Sequence, residues 1–407
     1  MSHRSISIAS ACVLAVVALS VACGGGQPAA TQPTNAAGSV SGASPGEAPA
    51  AASASATPAA SPAAASSAAP GPMLAASKNQ FPPRPAPAYN GYSFPRSTDA
   101  EIAEGAAHIV HYEDKNVMFL EVANPPLFNI HMHGHPYASV FTHDSNTGPE
   151  NPNAPPAPAT AGGHHSVQDP QSPFNNMGLT DSGPAAGTEW PTCQTAAPQA
   201  PHRPYNVNLA PNHFYRIEFL RLDDGDTQKN WKQWYPEMTA PVKPVKDLVP
   251  SPALGPKFSD KWPYPIAYDS ISAAPNNYKL LYENDKIRLI EVTIRPGETT
   301  PMHGNPYPAS LAFNAINGDA KDVTDKFLDP SSPLNGQGSA KAGPPTVHNM
   351  KVPTCMVTPP RAPHAIHNGG STPLHYYQME YKRIDGPGLT DHWREWYPWM
   401  QYMQFLR

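Results

Sequence analysis

Closely spaced histidines mark the part of the sequence that could hold a metal ion. Residues 131 to 135 read His-Met-His-Gly-His, and alternate residues of a β-strand share a face, so His131, His133 and His135 would point the same way. Neutral imidazoles are ligands for iron, zinc, copper and nickel, and three of them leave positions open for water, oxygen or substrate. This spacing predicts chemistry at a divalent transition metal, provided that the fold supplies one more histidine.

The body of the chain is one unit repeated. The segment 116–136 aligns without gaps with 286–306, which pairs His133 with His303. A later block also repeats, and the equivalent residues in it include the pairs Cys193/Cys355 and His202/His364. Such self-similarity indicates an internal duplication of a unit of roughly 140 residues.

Each unit has the pattern of an all-β domain. Residues 117–122 and 287–294 are rich in β-branched side chains, and proline and glycine interrupt the sequence at short intervals. Two Trp-Tyr-Pro segments, 230–238 and 392–403, are the exception, and we expect short helices or capping tails that pack on the exterior. Many short strands in two copies predict a pair of sandwiches or barrels.

The segments around the histidines resemble the motifs of the cupins. Residues 359–381 resemble the second cupin motif, a proline-rich approach followed by a histidine and, four residues later, an asparagine. Residues 295–306 resemble the first motif, in which a proline-glycine turn runs into His-x-His. The matching residues of the first unit are His133, His135, His202 and Asn206. The resemblance covers most of 99–381 and implies two tandem cupin-like (jelly-roll) β-barrels related by a pseudo-twofold axis.

The resemblance also implies a metal site in the first unit. His133 and His135 would face His202 and hold Fe, Mn, Zn, Ni or Cu, and cupins with three histidines include iron enzymes that use oxygen. The glutamate that cupins usually carry after the second histidine is replaced in both units. The second unit keeps a degenerate set, because an asparagine replaces its second histidine: His303, Asn305 and His364. Possible cavity-lining residues are His131, Tyr137 and Tyr307. The alternative is a metal-free barrel whose histidines bind one another and an organic ligand.

The N-terminal sequence is typical of an exported protein. A basic residue, Arg4, precedes the apolar run 6–22, which indicates a signal peptide at 1–22. Cys23 follows Ser-Val-Ala in a segment that resembles a bacterial lipobox, so we expect lipidation there and an anchor in the cell envelope; ordinary cleavage and secretion is the alternative. The remaining boundaries are a disordered Ala/Pro/Ser-rich tether at 23–80, the first unit at 81–240, a proline-rich linker at 241–268 and the second unit at 269–407.

The two cysteines of the body are expected to be free, buried thiols, and a disulfide between them is the alternative in an exported protein. Cys193 and Cys355 occupy equivalent positions of the repeat. Bridged Cα atoms must lie within about 7 Å, and equivalent positions approach that closely only near the axis that relates the units.

Composition excludes some classes of function. The chain has 53 prolines and 14% charged residues, and a net charge of -5 without a long basic run argues against nucleic acid as a partner. A single apolar run excludes a polytopic membrane protein. The functions that we expect are a metal-dependent enzyme of the oxygenase or a related type acting on a small molecule, a non-catalytic small-molecule-binding lipoprotein, or a structural envelope protein.

Overall fold

Both halves of the chain form the same set of antiparallel strands. The computed structural model describes residues 88–89, 92–145, 165–167, 180–182, 191–221, 231–233, 235–242, 255–314, 323–335, 339–341 and 353–403. All of them belong to one unit, Ala69–Arg407. The predicted signal peptide, Cys23 and the whole of the predicted tether lie outside the described residues.

The described strands of the first half are β1 Ala88–Tyr89, β2 Tyr92–Ser93, β3 His108–Glu113, β4 Val117–Asn124, β5 His133–His135, β6 Ser139–His143, β7 His165–Val167, β8 Thr180–Ser182, β9 Thr192–Ala196, β10 Gln199–Pro204 and β11 Asn212–Phe219. Those of the second half are β12 Tyr278–Glu283, β13 Ile287–Ile294, β14 His303–Asn305, β15 Ala309–Phe313, β16 Val323–Phe327, β17 Ser339–Lys341, β18 Thr354–Thr358, β19 Arg361–Asn368 and β20 Leu374–Tyr381. The described α-helices are α1 Ala100–Ala103, α2 Ser270–Ala273, α3 Leu389–Trp396 and α4 Pro398–Met403.

The strand order is the same in the two halves. Within the described residues, the larger sheet runs β3-β4-β11-β6-β9-β8 in the first half and β12-β13-β20-β15-β18-β17 in the second. The smaller sheets run β5-β10-β7 and β14-β19-β16. Two antiparallel sheets of non-sequential strands form a jelly roll. The predicted all-β class, with two tandem cupin-like barrels, is therefore confirmed.

The strands at the centre of the larger sheets are apolar because both of their faces are covered. Every residue of β4 is buried. On one face, Val117 and Phe119 share a cluster with Ile287 and Leu289 of the second half. On the other face, 118, 120 and 122 form a separate apolar cluster. A strand buried on both sides does not need strict alternation, and β4 is apolar on both faces except at Glu121 and Asn124.

A disulfide joins the two barrels. Cys193 on β9 and Cys355 on β18 are bonded, with their Cα atoms 6.3 Å apart, so the expectation of free thiols is wrong. The reason is their place at the interface, where β9 and β18 pack together. There, equivalent positions of the two units meet.

The two halves also exchange their Trp-Tyr-Pro tails. Trp393 of α3 and Met400 of α4 pack against Phe128 and Ile130 of the first half. The ring of Tyr397 lies 4.3 Å from that of His213 in the first half. Tyr235 and His375 are the residues equivalent to Tyr397 and His213, and their rings lie 4.7 Å apart. This reciprocity is the signature of a pseudo-twofold arrangement, with each tail covering the opposite barrel.

The linker region predicted from the sequence includes a fully buried residue. Trp262 packs with Tyr268 and Met302 of the second half. Its indole Nε1 donates to the carbonyl of Arg361 at 2.8 Å. A Cβ placed on Gly304 would lie 2.7 Å from Trp262 Cζ2, so the glycine of β14 makes room for this ring.

One turn differs in strain between the halves. Residues 125–128 and 295–298 form equivalent turns, each closed by a backbone hydrogen bond. The third residue has a φ of 58° at Leu127 and 74° at Gly297. Positive φ costs a side-chain-bearing residue about 1–2 kcal/mol, so the first half bears a local strain that the second avoids with glycine.

Candidate metal centre

Four buried imidazoles meet inside the first barrel. β5 carries His133 and His135, β10 carries His202 and β3 carries His108. The ring of His133 lies 5.2 Å from that of His135, 4.7 Å from that of His202 and 4.5 Å from that of His108. One nitrogen from each of His108, His133 and His135 lies within 4.8 Å of the other two. The structure thus brings together all three predicted residues of the first unit and adds a fourth.

The hydrogen bonds of three rings place their protons on Nδ1. His133 Nδ1 lies 2.9 Å from the carbonyl of His131, and His202 Nδ1 lies 2.9 Å from the carbonyl of Ala200. His135 Nδ1 lies 2.9 Å from Glu218 Oε1. Carbonyl and carboxylate oxygens only accept, so each Nδ1 carries the proton and each Nε2 keeps the lone pair that a metal takes.

Two of the four imidazoles, those of His108 and His135, are held neutral. Burial, reinforced by the positive charge of Arg216, lowers the pKa of His108 to about 3. The same causes hold the pKa of His135 well below its ordinary value. A metal ligand must be unprotonated, so both rings are ready to coordinate at neutral pH.

His108 is the residue that sequence reasoning missed. It lies in β3, outside both motifs, and its buried ring lies 4.5 Å from that of His133 and 5.2 Å from that of His135. The signal that could have found it is the repeat itself, in which His108 aligns with Tyr278. Its nitrogen completes a buried cluster with those of His133 and His135, and such a cluster fits a bound cation.

A cavity of about 190 Å³ opens onto the four histidines. Its other lining residues are Val122, Asn124, Ile130, Phe141, His143, Gln194, Gln199, Pro204, Asn212, Phe214 and Arg216. Small-molecule pockets are typically about 300–1,000 Å³, so this one suits a small ligand. The lining combines apolar side chains with amide, imidazole and guanidinium groups.

In the second barrel, other side chains of the barrel occupy two of the three equivalent positions, whereas His364 Nε2 is buried without a hydrogen-bond partner among the described residues. His303 Nδ1 donates to the carbonyl of Pro301 at 2.8 Å, and the hydroxyl of Tyr278 lies 2.7 Å from His303 Nε2. The hydroxyl must therefore donate, which occupies the lone pair that a metal would need. Asn305 Nδ2 donates to Glu380 Oε1 at 3.2 Å. His364 remains beside His303, with ring centroids 4.6 Å apart. This set does not fit a divalent metal.

Three other predicted residues lie away from the cavity. The His131 side chain is 65% exposed and pairs with Glu104, so the expectation that it shares the face of His133 is wrong: β5 begins only at 133, and alternation does not extend back to 131. Tyr137 is buried but does not line the first-unit cavity. Tyr307 lies in the second half, with the Arg288 guanidinium 5.0 Å above its ring.

Comparisons with known proteins find similarity only among solved structures. No family model and no curated protein matches the sequence. A cupin domain from Bordetella pertussis Tohama I is 13% identical over 26% of this chain and 92% of its own, with a TM-score of 0.18. Lactobacillus farciminis oxalate decarboxylase, in a formate complex, is 14% identical over 69% of this chain and 78% of its own, with a TM-score of 0.18. AerE from Microcystis aeruginosa is 9% identical over 66% of this chain and 88% of its own, with a TM-score of 0.19. Scores this low carry no argument about function, and the bicupin-like fold follows from the strand order of the chain itself.

Proposed function

We propose that the protein is an exported cupin-fold enzyme that uses a divalent transition metal in its first barrel to act on a small molecule, by oxygenase-type or related chemistry. The observation that carries the proposal is the meeting of His133, His135 and His202 in one cavity, with Nδ1 protonated on each ring and the lone pair left on Nε2. His108 is a fourth nitrogen donor. The second barrel serves as scaffold.

The residues around the proposed metal have distinct roles. A divalent metal of the Fe, Mn, Zn, Ni or Cu group supplies a Lewis acid that polarises a coordinated ligand. Glu218 orients His135 and makes its Nε2 more basic, as carboxylates commonly do for metal-binding histidines. Phe141 and Phe214 give the cavity apolar walls that limit the access of water.

The alternative is a non-catalytic lipoprotein that binds a small molecule in the same cavity. Among the described residues that line the cavity, none is a carboxylate. The lining therefore offers no Asp or Glu as a general base. This observation favours binding over turnover if the site holds no metal.

Metal analysis of the purified mature chain separates the two functions. We expect about one divalent ion per chain after metal-free protein is incubated with Fe(II), Mn, Ni, Cu or Zn and then desalted, because the first barrel offers one set of open nitrogens. The measurement is elemental analysis against protein concentration. A stoichiometry near zero with all five metals would overturn the enzyme proposal in favour of the binding module.

The proposed location rests on the N-terminal sequence and the disulfide. Disulfides persist in oxidising compartments, so the Cys193–Cys355 bond supports export. None of the helices in the described segments has the length and apolar character that crossing a membrane requires. We propose lipidation at Cys23 as the only membrane attachment, and no nucleic-acid partner.

Replacing Cys23 with alanine should move the protein from the membrane pellet to the soluble fraction, because the lipid is attached through that thiol. Fractionation followed by immunoblotting measures the change. The Cys12→Ala variant is the matched control, since Cys12 lies within the predicted signal peptide and should leave the anchor intact. If the parent protein and the Cys23 variant are equally soluble, the lipoprotein proposal is wrong and export alone remains.

A further inference from the structure

The cavity of the first barrel contains two buried N–H donors that no described residue accepts. Arg216 and Gln199 are each 1% exposed, and both line the cavity. Arg216 Nη1 donates to Gln199 Oε1 at 2.7 Å, which fixes the orientation of the glutamine amide. Arg216 Nη2 and Gln199 Nε2 are both buried without a hydrogen-bond partner in the described segments. An unsatisfied buried donor is unfavourable, so this pair points to an acceptor that a ligand brings.

The charge around these donors favours an anion. Arg216 Nε lies 2.9 Å from Glu218 Oε1, the same oxygen that accepts the His135 proton. The Phe141 ring lies 4.3 Å from Arg216 Cζ and supports the guanidinium plane. Glu218 can balance one positive charge, and with a divalent metal on the histidines the site keeps an excess of positive charge. Electrostatic attraction to an anion is strong in such a buried cavity.

We propose that Arg216 and Gln199 bind the carboxylate of the substrate, and that the site takes a small carboxylic acid. This inference rests on the proposed function and names its substrate class. Two N–H groups held side by side match the two oxygens of a carboxylate. The rest of the lining mixes apolar side chains, such as Val122, Ile130 and Phe214, with the amides of Asn124, Gln194 and Asn212, and the cavity volume of about 190 Å³ limits the acid to a small one.

The second barrel lacks this donor pair. Gln378 is the residue equivalent to Arg216, and Arg361 is equivalent to Gln199. Arg361 Nη2 is already paired with Asp325 at 2.5 Å. Arg361 Nε is also buried without a hydrogen-bond partner, but among the described residues the Arg–Gln pair of open donors occurs in the barrel that has the four histidines.

Isothermal titration of the full chain with benzoate, acetate and the neutral isostere benzamide tests the inference. We expect both acids to bind and benzamide to bind much more weakly. The Arg216→Gln variant, which installs the residue of the second barrel, should lower the affinity for benzoate by about 10- to 100-fold, because a charged hydrogen bond is lost. The Gln199→Leu variant keeps the Arg216–Glu218 ion pair and should also weaken benzoate binding, so a folding defect in the first variant does not end the test. The Arg361→Gln variant is the control and should bind benzoate normally.

The titration is run on metal-free and on metal-loaded protein, so that the two proposals can fail separately. If the chain takes up metal but benzoate binds equally well to the parent and to both the Arg216 and the Gln199 variants, the carboxylate inference is overturned and the proposed metal site stands. If no metal binds but benzoate affinity depends on Arg216, the inference stands and the metal proposal fails. Equal affinity for benzoate and benzamide would also overturn the inference.

Discussion

The His133→Ala variant should retain less than about a tenth of the metal that the parent chain binds. Loss of an orienting residue outside the ligand set typically lowers metal affinity about 10- to 100-fold, and loss of a ligand itself should cost at least as much. The same result is expected for His135→Ala and His202→Ala. Elemental analysis after reconstitution and desalting gives the stoichiometry, and circular dichroism verifies that the fold is intact.

The duplication provides the matched control for this prediction. His303 is equivalent to His133, is equally buried and makes the same Nδ1 hydrogen bond to a carbonyl two residues earlier. The His303→Ala variant should therefore perturb a barrel to a similar degree while leaving the metal content unchanged. Equal losses from the two variants would show that metal content depends on stability and not on the proposed ligands.

A His108→Tyr replacement tests the fourth donor in the same series. It installs the residue that the second barrel has, and the new hydroxyl should donate to His133 Nε2 as Tyr278 donates to His303 Nε2. We expect metal binding to fall as far as in His133→Ala, although all three predicted histidines are retained. Full metal content in this variant would show that His108 is not a ligand.

Loss of the disulfide should have the largest effect on stability. The bridge closes a loop between residues that are 162 positions apart. A loop of that length corresponds to about 5 kcal/mol in the chain-entropy treatment, with measured bridges more often near 2–4 kcal/mol. The Cys193→Ser/Cys355→Ser double variant should therefore melt on the order of 10 °C below the parent chain.

Thermal unfolding with and without reductant provides the control. Reductant should lower the melting temperature of the parent chain toward that of the double variant, and should leave the variant unchanged. Alkylation of the unfolded, unreduced parent chain should modify neither Cys193 nor Cys355. Modification of both in an exported, mature sample would contradict the bridge.

The fold and three of the cavity histidines could be predicted from local sequence patterns. Features that depend on how the barrel closes could not be predicted in this way. His133, His135 and His202 lie in motifs whose spacing is set within a few residues of one strand. His108 reaches the same point from β3, and nothing in its own neighbourhood of the sequence indicates which face of that strand turns inward.

The contact between the two cysteines at the barrel interface could not be predicted from the sequence for a similar reason. Whether two equivalent cysteines meet depends on where the pseudo-twofold axis passes, and self-similarity establishes that an axis exists without locating it. No sequence motif marks Glu218, Arg216 or Gln199 either, because their roles arise only when β10 and β11 place them beside His135.

The position of the bridge also bears on the origin of the chain. A single-unit ancestor would have carried one cysteine, and two copies packed through the same face would have brought each cysteine against its own counterpart. The bond that now lies within one polypeptide would then have linked two subunits as a covalent homodimer. Gene fusion would have made that pairing permanent, and the halves could then have diverged, as at His108 and Tyr278, without separating.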